Sequence, residues 1–254
     1  MRKAVKFTLV PVLVVSAILL ALNAAQAYTI NDNYVGGAPN NSNWVGKDLI
    51  GNDYWFDVSK MDVSYSGSSL VVDVYTRYLD NIGQYETQLG DLFISTDGWK
   101  PFGSAPYNDD TAAKGETWEY AIVLDNHSPS PAQGGIATLY KITKPEQIKL
   151  SWAPANFVFR ENQEVQLLTD GLNPLATGTW SIGNWGAPDS DDYLRFALNY
   201  DFGPVNELGL HWTMSCGNDV IEGGAPVPEP ATMLLLGSGL VGLAGFGRKK
   251  LFKK

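Results

Sequence analysis

The chain has one cysteine, Cys216, and only two histidines, His127 and His211. A single thiol closes no intramolecular disulfide, so the fold rests on its hydrophobic core. Zinc centres are built mainly from clustered His and Cys ligands, and the scarcity of both excludes such a site. The sequence holds no Gly-x-Ser-x-Gly elbow, no Gly-rich phosphate loop and no His-Glu-x-x-His segment. Amphipathic runs long enough to predict a helix are also missing; residues 205–210 fit a single turn at most. Basic residues are scarce except at the two ends. The whole chain carries a net charge of −9. Residues 1–27 hold three cations, and residues 229–254 hold five cations and one anion. Residues 28–228 therefore keep 10 cations against 26 anions, a net −16. Nucleic acids are bound by neutralising phosphates with Lys and Arg, so this body is excluded as a nucleic-acid binder. It also repels anionic glycans unless a cation bridges them. The plainer reading is that the charge keeps the body soluble.

What the body does have is short alternating runs. Leu70, Val72 and Val74 share one face of residues 69–77, and Val71, Asp73 and Tyr75 share the other. Period two with β-branched residues predicts a half-buried strand. Similar runs are 54–58, 61–65, 91–95, 117–124, 135–142, 157–161, 165–169, 193–200 and 208–215. Ser66-Gly67, Asp97-Gly98, Asp170-Gly171 and Gly203-Pro204 separate them as turns. Loops are expected at 31–43, 100–114 and 125–134. This pattern predicts an all-β fold, a β-sandwich or jelly-roll-like single domain spanning residues 28–222. All eight Trp and all twelve Tyr lie in the body and supply its aromatic mass. Cys216 is expected as a buried small hydrophobe, His211 as a satisfied core or edge histidine, and His127 as a solvated loop residue.

The ends read differently. Arg2, Lys3 and Lys6 precede an apolar run over 7–24 and the small-x-small site Ala25-Gln26-Ala27. That is the pattern of a secretory signal peptide over 1–27, removed by signal peptidase to leave Tyr28 as the first residue. Residues 223–228 read as a Gly/Pro linker. Pro228-Glu229-Pro230 cannot lie inside a helix. The 17 residues 231–247 are uncharged. As a helix they would span roughly 25 Å, just short of a bilayer core of about 30 Å. A basic tail follows over 248–254, with Arg248, Lys249, Lys250, Lys253 and Lys254, and belongs on the cytoplasmic side.

This three-part end resembles the PEP-CTERM sorting signal of Gram-negative bacteria, carried here by Pro228-Glu229-Pro230, the apolar segment and Arg248-Lys249-Lys250 over residues 229–254. The resemblance implies passage through the inner membrane, processing by an exosortase-type enzyme, and delivery to the cell surface or extracellular matrix. Two segments of the body resemble the opening and closing of other proteins with this tail. One is Tyr34-Val35-Gly36-Gly37 with Asp48-Leu49-Ile50-Gly51 and Phe56-Asp57. The other is Cys216-Gly217-Asn218-Asp219-Val220-Ile221-Glu222-Gly223. They imply a shared β-sandwich cargo domain of no known activity.

For the body itself, a non-catalytic module associated with exopolysaccharide or biofilm is the leading expectation. Trp44, Trp99, Tyr107 and Trp185 lie on expected loops and are candidate platforms for sugar rings, against the plainer reading that they fill the core. A carbohydrate-active enzyme, a glycoside hydrolase or lyase, is the alternative, since it needs only two placed carboxylates. With so many carboxylates available, no particular pair stands out. A purely structural surface domain is the third reading. Calcium is a candidate ligand, because it takes several oxygens. Asp189, Asp191 and Asp192 form one acidic cluster. Asp48, Asp53, Asn218 and Asp219 form a second set that a sandwich could bring together from its two ends.

Overall fold

Alternation sets the first hairpin. In β2 (Val58–Ser66) the side chains of Val58, Met61, Val63 and Tyr65 are buried. A register shift between Val58 and Lys60 puts Val58 and Met61 on one face despite their odd spacing. β3 (Ser69–Thr76) buries Leu70, Val72 and Val74 completely. Gly67 opens the two-residue loop at φ 64°, the left-handed conformation such hairpins need. Asp73 on β3 stands opposite Arg195 on β10 (Tyr193–Asn199). Two parallel 2.7 Å hydrogen bonds from the Arg195 fork tie the strands across the sheet.

In this computed structural model residues 26–129, 133–183, 192–227 and Gly239 are described. Residues 27–227 form one compact unit. The remaining strands of the main sheet are β1 (Gln26–Asn31), β4 (Leu92–Ser95), β5 (Tyr120–Leu124), β6 (Gly134–Lys141), β9 (Pro174–Gly183), β11 (Glu207–Thr213) and β12 (Val220–Pro226). They form a ten-stranded sheet in the order β1-β2-β3-β10-β9-β6-β5-β4-β11-β12. The all-β architecture is as expected, and the two layers of the sandwich belong to this one sheet, curled until it is nearly a barrel. Its two edges come together: a Cβ built on Gly223 of β12 would meet Ile30 of β1 at 2.6 Å. Met61, Val72, Ile94, Ile122, Leu139, Phe196, Leu210 and Trp212 converge on one enclosed core.

A two-stranded ribbon, β7 (Ile148–Leu150) and β8 (Glu164–Leu167), lies outside the main sheet. It covers the outward side of β4, β5 and β11, where Phe93, Trp118, Ala121 and Leu167 make a second small core. β4 is thus buried on both faces, with Leu92 and Ile94 inward and Phe93 outward.

Several segments differ from expectation. Residues 54–58 are not one strand: α1 (Asp53–Phe56) starts there, because Asn52 caps the Tyr54 N–H and Phe56 drops into the core. Residues 157–161 are irregular except for an isolated bridge between Pro39 and Arg160. Residues 207–210 are strand, not a turn. Residues 223–226, read as linker, are the second half of β12, paired through Gly223, Gly224, Ala225 and Pro226 to β11. The domain therefore runs on to Val227, whose N–H reaches Asn206. The signal-peptide residues 1–25 with Ala25, the helix 231–247 apart from Gly239, the sorting residues Pro228, Glu229, Pro230, Arg248, Lys249 and Lys250, and Trp185, Asp189 and Asp191 lie outside the described residues. Ala27 is exposed in β1, so the expected cut would fall within that strand. Among the described residues no helix is long and apolar enough to cross a membrane.

Candidate functional site

Arg160 joins the two ends of the domain. Its side chain is fully buried. Nε donates to the Gly217 carbonyl at 3.1 Å. Nη1 donates to Gly36 and Gly37 at 3.4 and 2.9 Å. Nη2 donates to Lys47 at 3.1 Å and to the Asp48 carbonyl. A planar fork with five N–H donors suits this convergence of carbonyls. Gly36 sits at φ 68°, and a Cβ there would crowd Gln163 and Tyr34, so glycine is what lets its carbonyl turn inward.

The guanidinium spends its hydrogen bonds on neutral oxygens. Its charge is balanced through space by Asp219, Asp48 and Asp32. Asp32 directly follows β1, and Asp219 directly precedes β12. Asp219 is buried; its Oδ2 accepts from the Val58 N–H at 2.7 Å and its Oδ1 from the Val220 N–H at 3.1 Å. Asp48 is exposed on the intervening loop. One carboxylate oxygen from each of the three lies within 4.8 Å of the others. Burial raises the pKa of all three. Repulsion adds to the rise, from Asp48 and Asp57 at Asp32, from Asp32 and Asp48 at Asp219, and from Asp57 at Asp48, and Arg160 opposes it at each. Two buried acceptors have no hydrogen-bond partner here, Asp32 Oδ1 and Asn218 Oδ1. An unpaired buried acceptor costs about 1–3 kcal/mol.

The second expected metal-binding set is thus brought together in part. Asp48 and Asp219 meet, with Asn218 next in the chain to Asp219. Asp53 does not join them: it is exposed at the first turn of α1, where its Oδ1 accepts from the Tyr54 N–H. Asp32 takes its place and was missed, because nothing in the local sequence ties it to residues 48 and 219. Of the first cluster only Asp192 is described; it is buried, and its carbonyl accepts from the Thr76 N–H.

A separate network of acids and aromatics lies under the β7–β8 ribbon. Strand register places Phe93, His211 and Glu222 side by side across β4, β11 and β12. His211 Nε2 lies 2.7 Å from the Glu164 carbonyl, which can only accept, so Nε2 carries the proton. His211 Nδ1 pairs with Glu222 Oε2 at 2.9 Å. The other oxygen of Glu222 accepts from Trp99 Nε1 at 2.8 Å. Glu164 Oε1 accepts from Trp118 Nε1 at 3.1 Å. Burial pushes Glu164 up to about 7, His211 opposing and Glu222 adding. Burial also raises Asp110 to about 6, with Glu222 next in effect. Burial alone would lower His211, yet the Glu222 hydrogen bond and the nearby Glu164 charge raise it on balance. His127 is a tether: its Nε2 pairs with the fully buried Asp91 at 2.7 Å. Cys216 is buried, as expected, and burial pushes its thiol up to about 12.

Of the described aromatic candidates, Trp44, Trp99 and Tyr107 are all half-buried. Trp99 meets Tyr107 edge to face, with centroids 5.2 Å apart and planes at 76°. Tyr107 in turn stacks on the buried Tyr34 at 6.0 Å. Trp44 ends a one-turn 3-10 helix, Ser42–Trp44, on a different loop.

No curated protein and no solved structure matches the chain. Residues 226–249 match the family described as the PEP-CTERM protein-sorting motif. The match begins at Pro226, the last residue of β12, so the sorting segment starts where the folded domain stops. The chain carries a PEP-CTERM sorting motif near its C-terminus, the mark of an exported exosortase substrate, and the domain that precedes the motif is all-β.

Proposed function

We propose that the cargo domain is a non-catalytic module that contacts exopolysaccharide at the cell surface or in the biofilm matrix. The observation that carries the non-catalytic reading is the engagement of the acid–base groups. Both ring nitrogens of His211 and both oxygens of Glu222 are buried and bonded to protein partners. General acid–base catalysis needs such groups within reach of a substrate proton. The contact with sugar is supported by Trp99 and Tyr107. Each is half-buried and held from behind, Trp99 by Glu222 and Tyr107 by Tyr34. Rings held in this way lose little freedom on binding. Because they meet at 76°, they form a corner with two apolar walls and not a flat platform. A purely structural domain is the second reading. It is favoured by the complete use of Trp99's donors, since its backbone N–H also goes to Glu207 at 2.9 Å.

The test is a binding and turnover screen of the exported protein on the polysaccharide of its own host. Binding is expected without release of reducing ends, and Trp99→Ala with Tyr107→Ala should weaken it by about tenfold or more. Released reducing ends would establish an enzyme. No binding to any host glycan would leave the structural reading.

A further inference from the structure

We infer that Asp32, Asp48 and Asp219, with Asn218 beside them, form a calcium site that fastens the first and last strands of the domain together. This goes beyond contact with polysaccharide and does not depend on it. Oxygen atoms bound to one Ca²⁺ at about 2.4 Å can be no more than about 4.8 Å apart. The three carboxylates meet that condition without any movement of the chain. Their charge is the right one. In the ionised form that a cation would bind, the three carboxylates outweigh the buried Arg160 and leave negative charge for a divalent cation to offset.

An acidic cluster alone would say little. Here two oxygens that could serve as ligands are buried and accept no hydrogen bond, Asp32 Oδ1 and Asn218 Oδ1. Asn218 is only 1% exposed, and its carbonyl is fixed by the Ile50 N–H at 2.8 Å, two residues after Asp48. The Asn218–Asp219 pair is therefore held against the Asp48 loop by the backbone. Asp219 is held by its bonds to Val58 and Val220. Asp48, exposed, gives the ion a route in and room for water to complete its shell. Calcium fits this mixture of carboxylate and amide oxygens. Magnesium, which demands a tighter octahedron and keeps its water, fits it less well.

The test uses the full chain in mild detergent, stripped with EDTA and titrated with CaCl₂. Calorimetry should find one Ca²⁺ per chain. At a hundredfold excess over Kd the melting temperature should rise by about 5–10 °C, and by less with MgCl₂ at equal concentration. Asp48→Asn, on the exposed rim, should weaken binding at least tenfold and shrink the calcium-dependent rise in melting temperature measured against its own EDTA baseline. Asn218→Ala, which removes one unpaired acceptor, should weaken binding as well. Superimposable melts in CaCl₂ and EDTA would overturn the assignment. So would calcium affinity unchanged in both Asp48→Asn and Asp32→Asn, because the ion would then sit elsewhere on the acidic surface.

Discussion

Glu164 and His211 set the sign of the domain's pH dependence. Glu164 is raised from 4.5 to about 7, chiefly by burial. His211 lies above 6.5, because the Glu222 bond and the charge of Glu164 outweigh burial. Asp110 moves the same way, to about 6, through burial and the charge of Glu222. Each folded pKa is raised, so the folded protein keeps protons that the unfolded chain has released. The stability linked to Glu164 is complete below about 4.5 and is lost as the pH rises through about 7. Melting temperature in a fixed EDTA buffer should therefore fall between about pH 5 and about pH 8. Glu164→Gln keeps an acceptor for Trp118 Nε1 and removes this titration, so its fall should be shallower. An equal slope in the two proteins would assign the pH dependence to other groups. His211 was legible in the sequence as a satisfied histidine, since a strand of apolar alternation surrounded it. Arg160 was not. Its partners are carbonyls of residues 36, 37, 47, 48 and 217, and backbone carbonyls leave no mark in sequence.

β12 decides where the domain ends. Glu222-Gly223-Gly224-Ala225-Pro226 has the composition of a linker, yet it pairs residue by residue with β11. Close approach suits the glycines: a Cβ at Gly223 would meet Ile30 at 2.6 Å, and one at Gly224 would displace the Glu207 carboxylate that accepts from the Trp99 N–H. A strand that must pass this close to its neighbours has few side chains to announce it. β9 was missed for a related reason. Its outer residues are Leu175, Thr177, Thr179 and Ser181, and its inner row includes Ala176 and Gly178, so only Trp180 and Ile182 signal a core face. Strands with strong inner rows, such as Leu70-Val72-Val74 and Leu208-Leu210-Trp212, were legible. A chain ending at Glu222 loses the Leu210–Gly223, Gly209–Gly224, Leu208–Ala225 and Glu207–Pro226 pairs and the Val227 anchor. It should melt well below a chain ending at Val227, by about 5 °C or more if about 2 kcal/mol of packing and pairing is lost. Equal melting temperatures would show that residues 223–227 are a linker after all.

At the scale of the whole molecule, the sorting motif and the folded unit divide the chain at Pro226 and Val227. The route of the protein was legible because it is written in local pattern: a Pro-Glu-Pro box, an uncharged run and a cluster of cations. The candidate site was legible only in part, because it is assembled from segments nearly 190 residues apart, Asp32 and Asp219. Alternation fixes a strand's faces but not which loops meet at the seam of a curled sheet. The same seam holds the converging Tyr34–Gly37, Asp48–Gly51 and Cys216–Asp219 segments around Arg160. The central claim is that this domain is cargo, exported and released from its sorting tail. Intact-mass measurement of the surface protein from its native host tests it most directly. The mature chain should start at Tyr28 and end near Pro228-Glu229-Pro230, whereas a surface form that still carries residues 246–254 would contradict release from the tail.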